Sequence, residues 1–356
     1  MRQVKKLWTS VRIPLFAILC SLVAGGIIIA LTGSNPFRAY YSLLQGSGLA
    51  PKASYASYKS MLTDFFSYVN YFTPMIFAAL AVAVALKAGL FNIGVSGQML
   101  AAGFTATVIV GYSGLNGVLA KPLVILVGIV AGSLAGALIG LLKYRFNINE
   151  VVSSIMLNYI FQYVISFFIN TYFVDPVSRQ SREVSDAARL TLMNTPVGNL
   201  KLDIPLGIVI ALLAVFLVWF LLAKTRLGYE LKAVGYSRSA AKYAGINVGR
   251  SMVLSMTISG ALAGLAGVTY YLGYVGSIQP KVLISTGFDA IAVSLLGNNH
   301  PVGIIFSTML ITLIGKGSTY MKSAAGVDSE IASVITGIIL LFSACNVYIK
   351  WRMGHR

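Results

Sequence analysis

Six long apolar runs decide what this chain is able to fold into. They cover residues 13–31, 122–142, 151–172, 205–223, 252–274 and 331–349. A helix rises about 1.5 Å per residue, so crossing a hydrocarbon core of about 30 Å takes about 20 residues, which is the length of each run. Four less regular runs, 73–88, 98–111, 288–296 and 302–314, bring the expected number of crossings to ten. The runs do not alternate apolar and polar residues as barrel strands do. In lipid every backbone N–H and C=O must be satisfied within its own segment, which leaves helices. The expected fold is therefore an all-α polytopic membrane protein, a single domain over residues 1–356. Composition agrees: 57% of residues are hydrophobic and 10% charged, against about 25% charged in a soluble domain.

The run at 13–31 is long enough to span, and no small-x-small cleavage site follows it. It reads as an uncleaved first span rather than a secretory signal. The net charge of +17 suits loops enriched in Lys and Arg on the cytoplasmic side better than it suits a nucleic-acid partner. With the N-terminus inside, the inner segments hold fifteen Lys and Arg against two acids, Glu150 and Glu230. The outer segments hold ten basic residues and seven acids. This bias, with an even number of crossings, puts both termini in the cytoplasm. Cys20 and Cys345 fit no metal spacing and no disulfide framework, and read as small apolar residues.

Two extracytoplasmic loops are long, 33–72 and 174–204. In the first, Met61, Leu62, Phe65, Phe66, Val69 and Phe72 recur at three and four residues, the pattern of an amphipathic helix on the outer interface. The second carries Arg179, Arg182, Glu183, Asp186 and Arg189, and reads as a polar loop or short helix pair. Each is open to two readings, a partner surface or a solvated loop.

The apolar pattern breaks twice at membrane depth. Residues 71–111 would reach about 61 Å as helix, barely two crossings. The polar stretch inside them, with Phe91, Asn92, Ser96 and Gln98 among Gly89, Gly94 and Gly97, has little room to leave the membrane. Irregular backbone there is tolerated only inside protein or along a watery cavity, and interrupted helices mark translocation paths. Phe91, Asn92, Ser96 and Gln98 are thus candidate pathway residues; packing between helices is the other reading for Asn92 and Gln98. The second break is 287–297, too short to span, with Phe288 and Asp289. Asp289 is the one acid placed within an expected crossing, a functional candidate by default; capping a helix N-terminus is the alternative. Phe91, Tyr270 and Phe288 are candidate stacking surfaces for a planar solute; facing lipid or packing between helices is the other reading for each. Small residues recur at 131–140 and 259–267, where they permit close helix approach.

Between the sixth and seventh crossings lie 27 residues, 224–250, six of them basic. Ser237 is a plausible N-cap, residues 238–244 a short helix, and Gly245 its stop. Ala240, Ala241 and Ala244 give that helix a small-residue face suited to docking in a groove; a basic loop on anionic lipid heads is the alternative. This loop resembles the coupling segment of the ABC importer permeases that handle ribose, branched-chain amino acids and nucleosides. The runs Phe-Asn-Ile-Gly-Val-Ser-Gly-Gln-Met (91–99) and Gly-Phe-Asp-Ala-Ile-Ala-Val-Ser-Leu-Leu-Gly (287–297) are similar to that family's other signatures. The first of them points to the nucleoside and simple-sugar branch, although Ser96 stands where the branch usually has Glu. The resemblance implies a bacterial inner-membrane permease subunit of a binding-protein-dependent importer, with nucleosides as solute and a simple sugar or branched-chain amino acid as alternatives. It implies a cytoplasmic ATPase, a second permease in a heterodimer and an extracytoplasmic binding lipoprotein. Glu230, Ser237, Arg238, Ala240, Ala241, Lys242 and Gly245 would then contact the ATPase.

No cofactor is expected on the chain itself. The nearest approach to a phosphate loop, Gly315-Lys316-Gly317-Ser318, has Leu310 where the first glycine belongs and Gly317 where Ser or Thr must follow the lysine, so ATP would be bound by the partner. An ion-coupled transporter or channel is the competing class. It would more often carry several intramembrane charges. An intramembrane enzyme has little to draw on, with two histidines and no acid pair or metal spacing.

Overall fold

The computed structural model describes residues 18–52 and 58–344. The first five residues of the first expected span, the end of the last one from 345 on, Cys345 and both terminal basic clusters lie outside the described residues. The helices are α1 (Ile18–Leu31), α2 (Pro36–Gly46), α3 (Met61–Lys87), α4 (Val95–Ala106), α5 (Gly117–Phe146), α6 (Glu150–Phe168), α7 (Gly207–Lys224), α8 (Arg226–Tyr236), α9 (Arg238–Tyr243), α10 (Val248–Val268), α11 (Thr286–Leu296), α12 (Pro301–Ala325) and α13 (Ser329–Ala344). Two short strands, β1 (Thr191–Val197) and β2 (Leu200–Pro205), pair antiparallel between α6 and α7.

Among the described residues, six helices are long and apolar enough to cross a membrane, or seven if α1 and α2, bent by 114°, count as one broken span. Three apolar helices are shorter: Val95–Gly111, Thr286–Leu296 and Ser329–Ile339. The molecule is a multi-pass, all-α membrane protein.

α3 is its axis. Ser60 and Thr63 form a reciprocal capping box at its start, which satisfies donors that the first turn would leave open. From Ile76 to Ala85 every residue is fully buried, as expected of a helix that is apolar all round. α5, α6 and α7 lie at the periphery, with Leu134, Phe167 and Val209 each more than 60% exposed, a surface for lipid rather than water. α5 and α10 meet along glycines four residues apart. A Cβ on Gly132 would sit 2.2 Å from the Gly260 carbonyl, and one on Gly264 would sit 2.0 Å from that of Gly128. Only small residues permit this approach.

Two loop expectations are corrected. The supposed interfacial helix at 61–72 is the first three turns of α3. Tyr68, Asn70 and Phe72 are buried, and the Tyr68 hydroxyl donates to Met309 O at 2.7 Å. Of the residues in the apolar spacing, Met61, Leu62 and Phe65 stay exposed and Phe72 is buried. The helix that turns sharply away after a span is α2 instead. Residues 174–204 hold no helix pair. Their second half forms the hairpin β1–β2 around Gly198 and Asn199, with a bulge between Leu192 and Thr195. The Gly-Asn pair between strand-forming residues was a readable hairpin signal. Arg189 packs its guanidinium where a Cβ on Gly276 would lie (φ +87°) and pairs with Glu183.

The α-helical pattern widens to π turns at the ends of α4, α6 and α10, over Thr107–Gly111, Ile169–Phe173 and Thr269–Val275. After the last of these, residues 276–285 run without regular structure back along the bundle. The Ser181 hydroxyl accepts from Ile278 N, the Ser166 hydroxyl from Lys281 N, and Ile284 O receives the Ser96 hydroxyl. This irregular segment separates α10 and its π turn from α11.

Candidate functional site

In the turn that joins α3 to α4, Ala88, Leu90 and Asn92 are 0–1% exposed, while Gly89 between them is exposed. Asn92 and Gln98 form a reciprocal amide pair, with Asn92 Nδ2 donating to Gln98 Oε1 at 3.0 Å and Gln98 Nε2 to Asn92 Oδ1 at 3.3 Å. Asn92 Nδ2 also donates to Ser259 Oγ at 2.8 Å, and Asn92 Oδ1 accepts from Gly94 N. Asn158, reaching across from α6, accepts from Gly97 N and donates to Ile93 O, closing the uncapped start of α4. Ser96 donates to Ile284 O at 2.9 Å, and a Cβ on Gly287 would meet the Ser96 hydroxyl at 2.3 Å. The start of α4 therefore abuts the start of α11. Asn92, Ser96 and Gln98 are fully buried and hydrogen-bonded. Within this chain they hold two broken helices together and do not face an open path. Asn158 and Ser259 are partners that the sequence did not single out.

The open space lies on the other side of α11. A cavity of about 420 Å³ is bounded by Tyr71 and Met75 of α3, Ser285 and Asp289 at the start of α11, Thr312 and Ser318 of α12, and Glu330, Ser333 and Thr336 of α13. Asp289 stands in the first turn of α11, half-buried, its backbone N–H donating to Ser285 O at 2.9 Å. It caps nothing: among the described contacts no side chain bonds the N-terminal amides of α11. Tyr71 is backed by Tyr274, ring centroids 5.4 Å apart, and Tyr274 by Tyr270 at 6.0 Å. The nearby ammonium of Lys316 donates to the Tyr274 hydroxyl at 3.2 Å and is not part of the lining. Phe288 is 42% exposed but points outside the cavity, and Phe91 does not line it either. Of the three aromatics singled out from sequence, Tyr270 alone belongs to a cluster beside this space; Tyr71 and Glu330 were missed. Among the described residues no group of three or more metal-ligating side chains exists.

Residues 65–344 match the family described as branched-chain amino acid transport system / permease component. The chain belongs to that permease family. It is 34% identical to the nucleoside ABC transporter permease protein NupB of Lactococcus lactis subsp. cremoris, over 96% of this chain and 92% of that one. It is 36% identical to the guanosine ABC transporter permease protein NupP of Bacillus subtilis, over 96% and 95%. It is also 28% identical to the glucose ABC transporter permease protein TsgB13 of Haloferax volcanii, over 98% and 90%. The permease is a transport component, not an enzyme, and its family works with an ATPase and a binding protein.

The segment 224–250 of the permease folds as its sequence predicts, with one addition and one correction. Ser237 caps α9, accepting from Ala240 N at 3.3 Å, and Gly245 ends it at φ +77°. The addition is α8, capped by Thr225, which accepts from Gly228 N; on its surface Glu230 pairs with Arg226 at 2.9 Å. The correction concerns Ala241. It is 3% exposed and packs with Leu90, Ile139, Val234 and Met256, so it faces the permease's own core and not a partner. Ala240, Lys242, Ala244 and Gly245 face outward, and so do Tyr236 and Tyr243, each 95% exposed. Arg238 donates from its guanidinium to Gly89 O at 3.2 Å, and Gly235 packs directly on Gly89. The α8–α9 segment thus touches the α3–α4 turn.

Proposed function

We propose that this permease forms half of the translocation path of a nucleoside importer in a bacterial cell membrane, with both termini cytoplasmic and ten crossings. The observation that carries the solute assignment is similarity over nearly the whole chain to a nucleoside and a guanosine permease. A simple sugar is the second reading, supported by the likeness to a glucose permease.

The physical account is alternating access. A binding protein delivers solute at the outer face, between this chain and a second, different permease. On the inner face Tyr236 and Tyr243 anchor α8–α9 to the ATPase; aromatic rings exposed to this extent are the common anchors of protein interfaces. When the ATPase moves that segment, Arg238 and Gly235 carry the displacement to Gly89. The amide pair of Asn92 and Gln98 stiffens the turn, and the contact of Ser96 with Ile284 passes the motion to α11, which carries Asp289. Purifying the tagged permease with its native companions tests the assembly: an ATPase, a second permease and a binding lipoprotein should co-purify. Recovery of the chain alone, from membranes that express the companions, would overturn it. Arg238→Ala should leave the ATPase bound while lowering uptake relative to ATP hydrolysed, and unchanged coupling would remove this route.

A further inference from the structure

We infer that the cavity between α3, α11, α12 and α13 is a solute subsite selective for uncharged, hydroxyl-rich nucleosides, and that Asp289 and Glu330 exclude their phosphorylated forms. The inference rests on the nucleoside reading above and adds to it a place and a rule of discrimination.

Volume is the first argument. Small-molecule sites run about 300–1,000 Å³, and 420 Å³ lies within that range for a solute of nucleoside size. Lining chemistry is the second. Two carboxylates, Asp289 and Glu330, share the space with the hydroxyls of Tyr71, Ser285, Thr312 and Ser333, and among the described residues no Lys or Arg lines it. Ionised carboxylates only accept hydrogen bonds, while hydroxyls both donate and accept. The set therefore suits a solute rich in O–H and N–H donors. An acid accepting from ribose hydroxyls is how dinucleotide-binding folds hold their sugar. The third argument is the tyrosine cluster. Tyr71 lines the cavity with the Tyr274 ring 5.4 Å from its own, and base stacking on aromatics tolerates every base because each has a π-face. Purine and pyrimidine nucleosides should both be accepted.

Charge decides the rule. A phosphomonoester carries about −1.5 to −2 charges at neutral pH. Asp289 is half-buried and Glu330 exposed, so repulsion of an anion is strongest at Asp289, where the effective dielectric is lower than in water. Lys316, next to the lining residue Gly315, gives its ammonium to the Tyr274 hydroxyl, and Lys322 pairs with Asp328.

Thiol labelling in the assembled importer tests this. Thr336→Cys on α13 places a reporter in the cavity, in a background where Cys20 and Cys345 are Ala. Guanosine and uridine should slow its labelling saturably, and their monophosphates should not. Asp289→Asn with Glu330→Gln should lower the ratio of cationic to anionic methanethiosulfonate labelling rates about tenfold and abolish nucleoside protection, while ATPase co-purification stays intact. Equal protection by the monophosphates, or an unchanged ratio, overturns the inference. Uptake by the parent importer separates the two levels. If it imports nucleosides but they do not protect the cysteine, the subsite fails alone. If it imports no nucleoside, the solute reading fails and takes this one with it.

Discussion

Asn92 shows what a polar residue at membrane depth is for in this permease. Its carboxamide makes four hydrogen bonds, to Gln98 twice, to Ser259 and to Gly94. Asn92→Ala would strand the Gly94 amide and the Gln98 carboxamide in a dry interior, at about 1–3 kcal/mol for each unsatisfied group. The expected outcome is a lower melting temperature of the purified permease and a lower yield of assembled importer. An unchanged melting temperature with lost uptake would return Asn92 to the solute path. The residue types at this break were legible in the sequence; their facing was not. A carboxamide reads the same whether it meets water or another carboxamide, and its partner Ser259 lies 167 positions away. Asp289 differs because its helix begins inside the bundle, next to a cavity.

Glycine spacing and helix caps carried the element scale. The run of small residues at 131–140 announced a close helix contact, and α5 meets α10 there. Gly132→Val should cost about 1–3 kcal/mol through overpacking, and more if the backbones cannot part, because its Cβ would collide with Gly260 O. Thermal unfolding in detergent reads that loss; a wild-type midpoint would contradict the packing. The caps of α9 were equally readable, since Ser237 and Gly245 act through the local backbone. Which side of α9 faces the core was not, because six residues are too few to show a period. Ala241→Asp should therefore prevent folding rather than probe docking. Tyr236→Ala with Tyr243→Ala is the informative pair, expected to lower ATPase recovery at least tenfold while leaving the permease monodisperse. Full ATPase recovery would move the docking face elsewhere.

At the scale of the whole molecule, the apolar runs specified a helical membrane protein because lipid permits few alternatives. Two of the ten expected crossings, 98–111 and 288–296, rest on helices too short to span alone, Val95–Gly111 and Thr286–Leu296. The hairpin β1–β2 and the irregular segment before α11 are held by contacts that link distant parts of the chain, as Ile278 N to the Ser181 hydroxyl does. Such contacts are what a hydropathy reading does not see. The cavity follows from the same cause: it exists where α11 starts late, leaving space between α3, α12 and α13 that a full-length helix would fill.

The central claim is that this permease moves nucleosides only as part of an ATP-driven assembly. The most direct measurement is uptake of labelled guanosine and uridine into proteoliposomes that contain the permease, its second permease, the ATPase and the binding protein. Uptake should require ATP on the ATPase side, stop when the ATPase is omitted, and be indifferent to ion gradients. Nucleoside accumulation by the permease alone, driven by a proton or sodium gradient, would contradict the account.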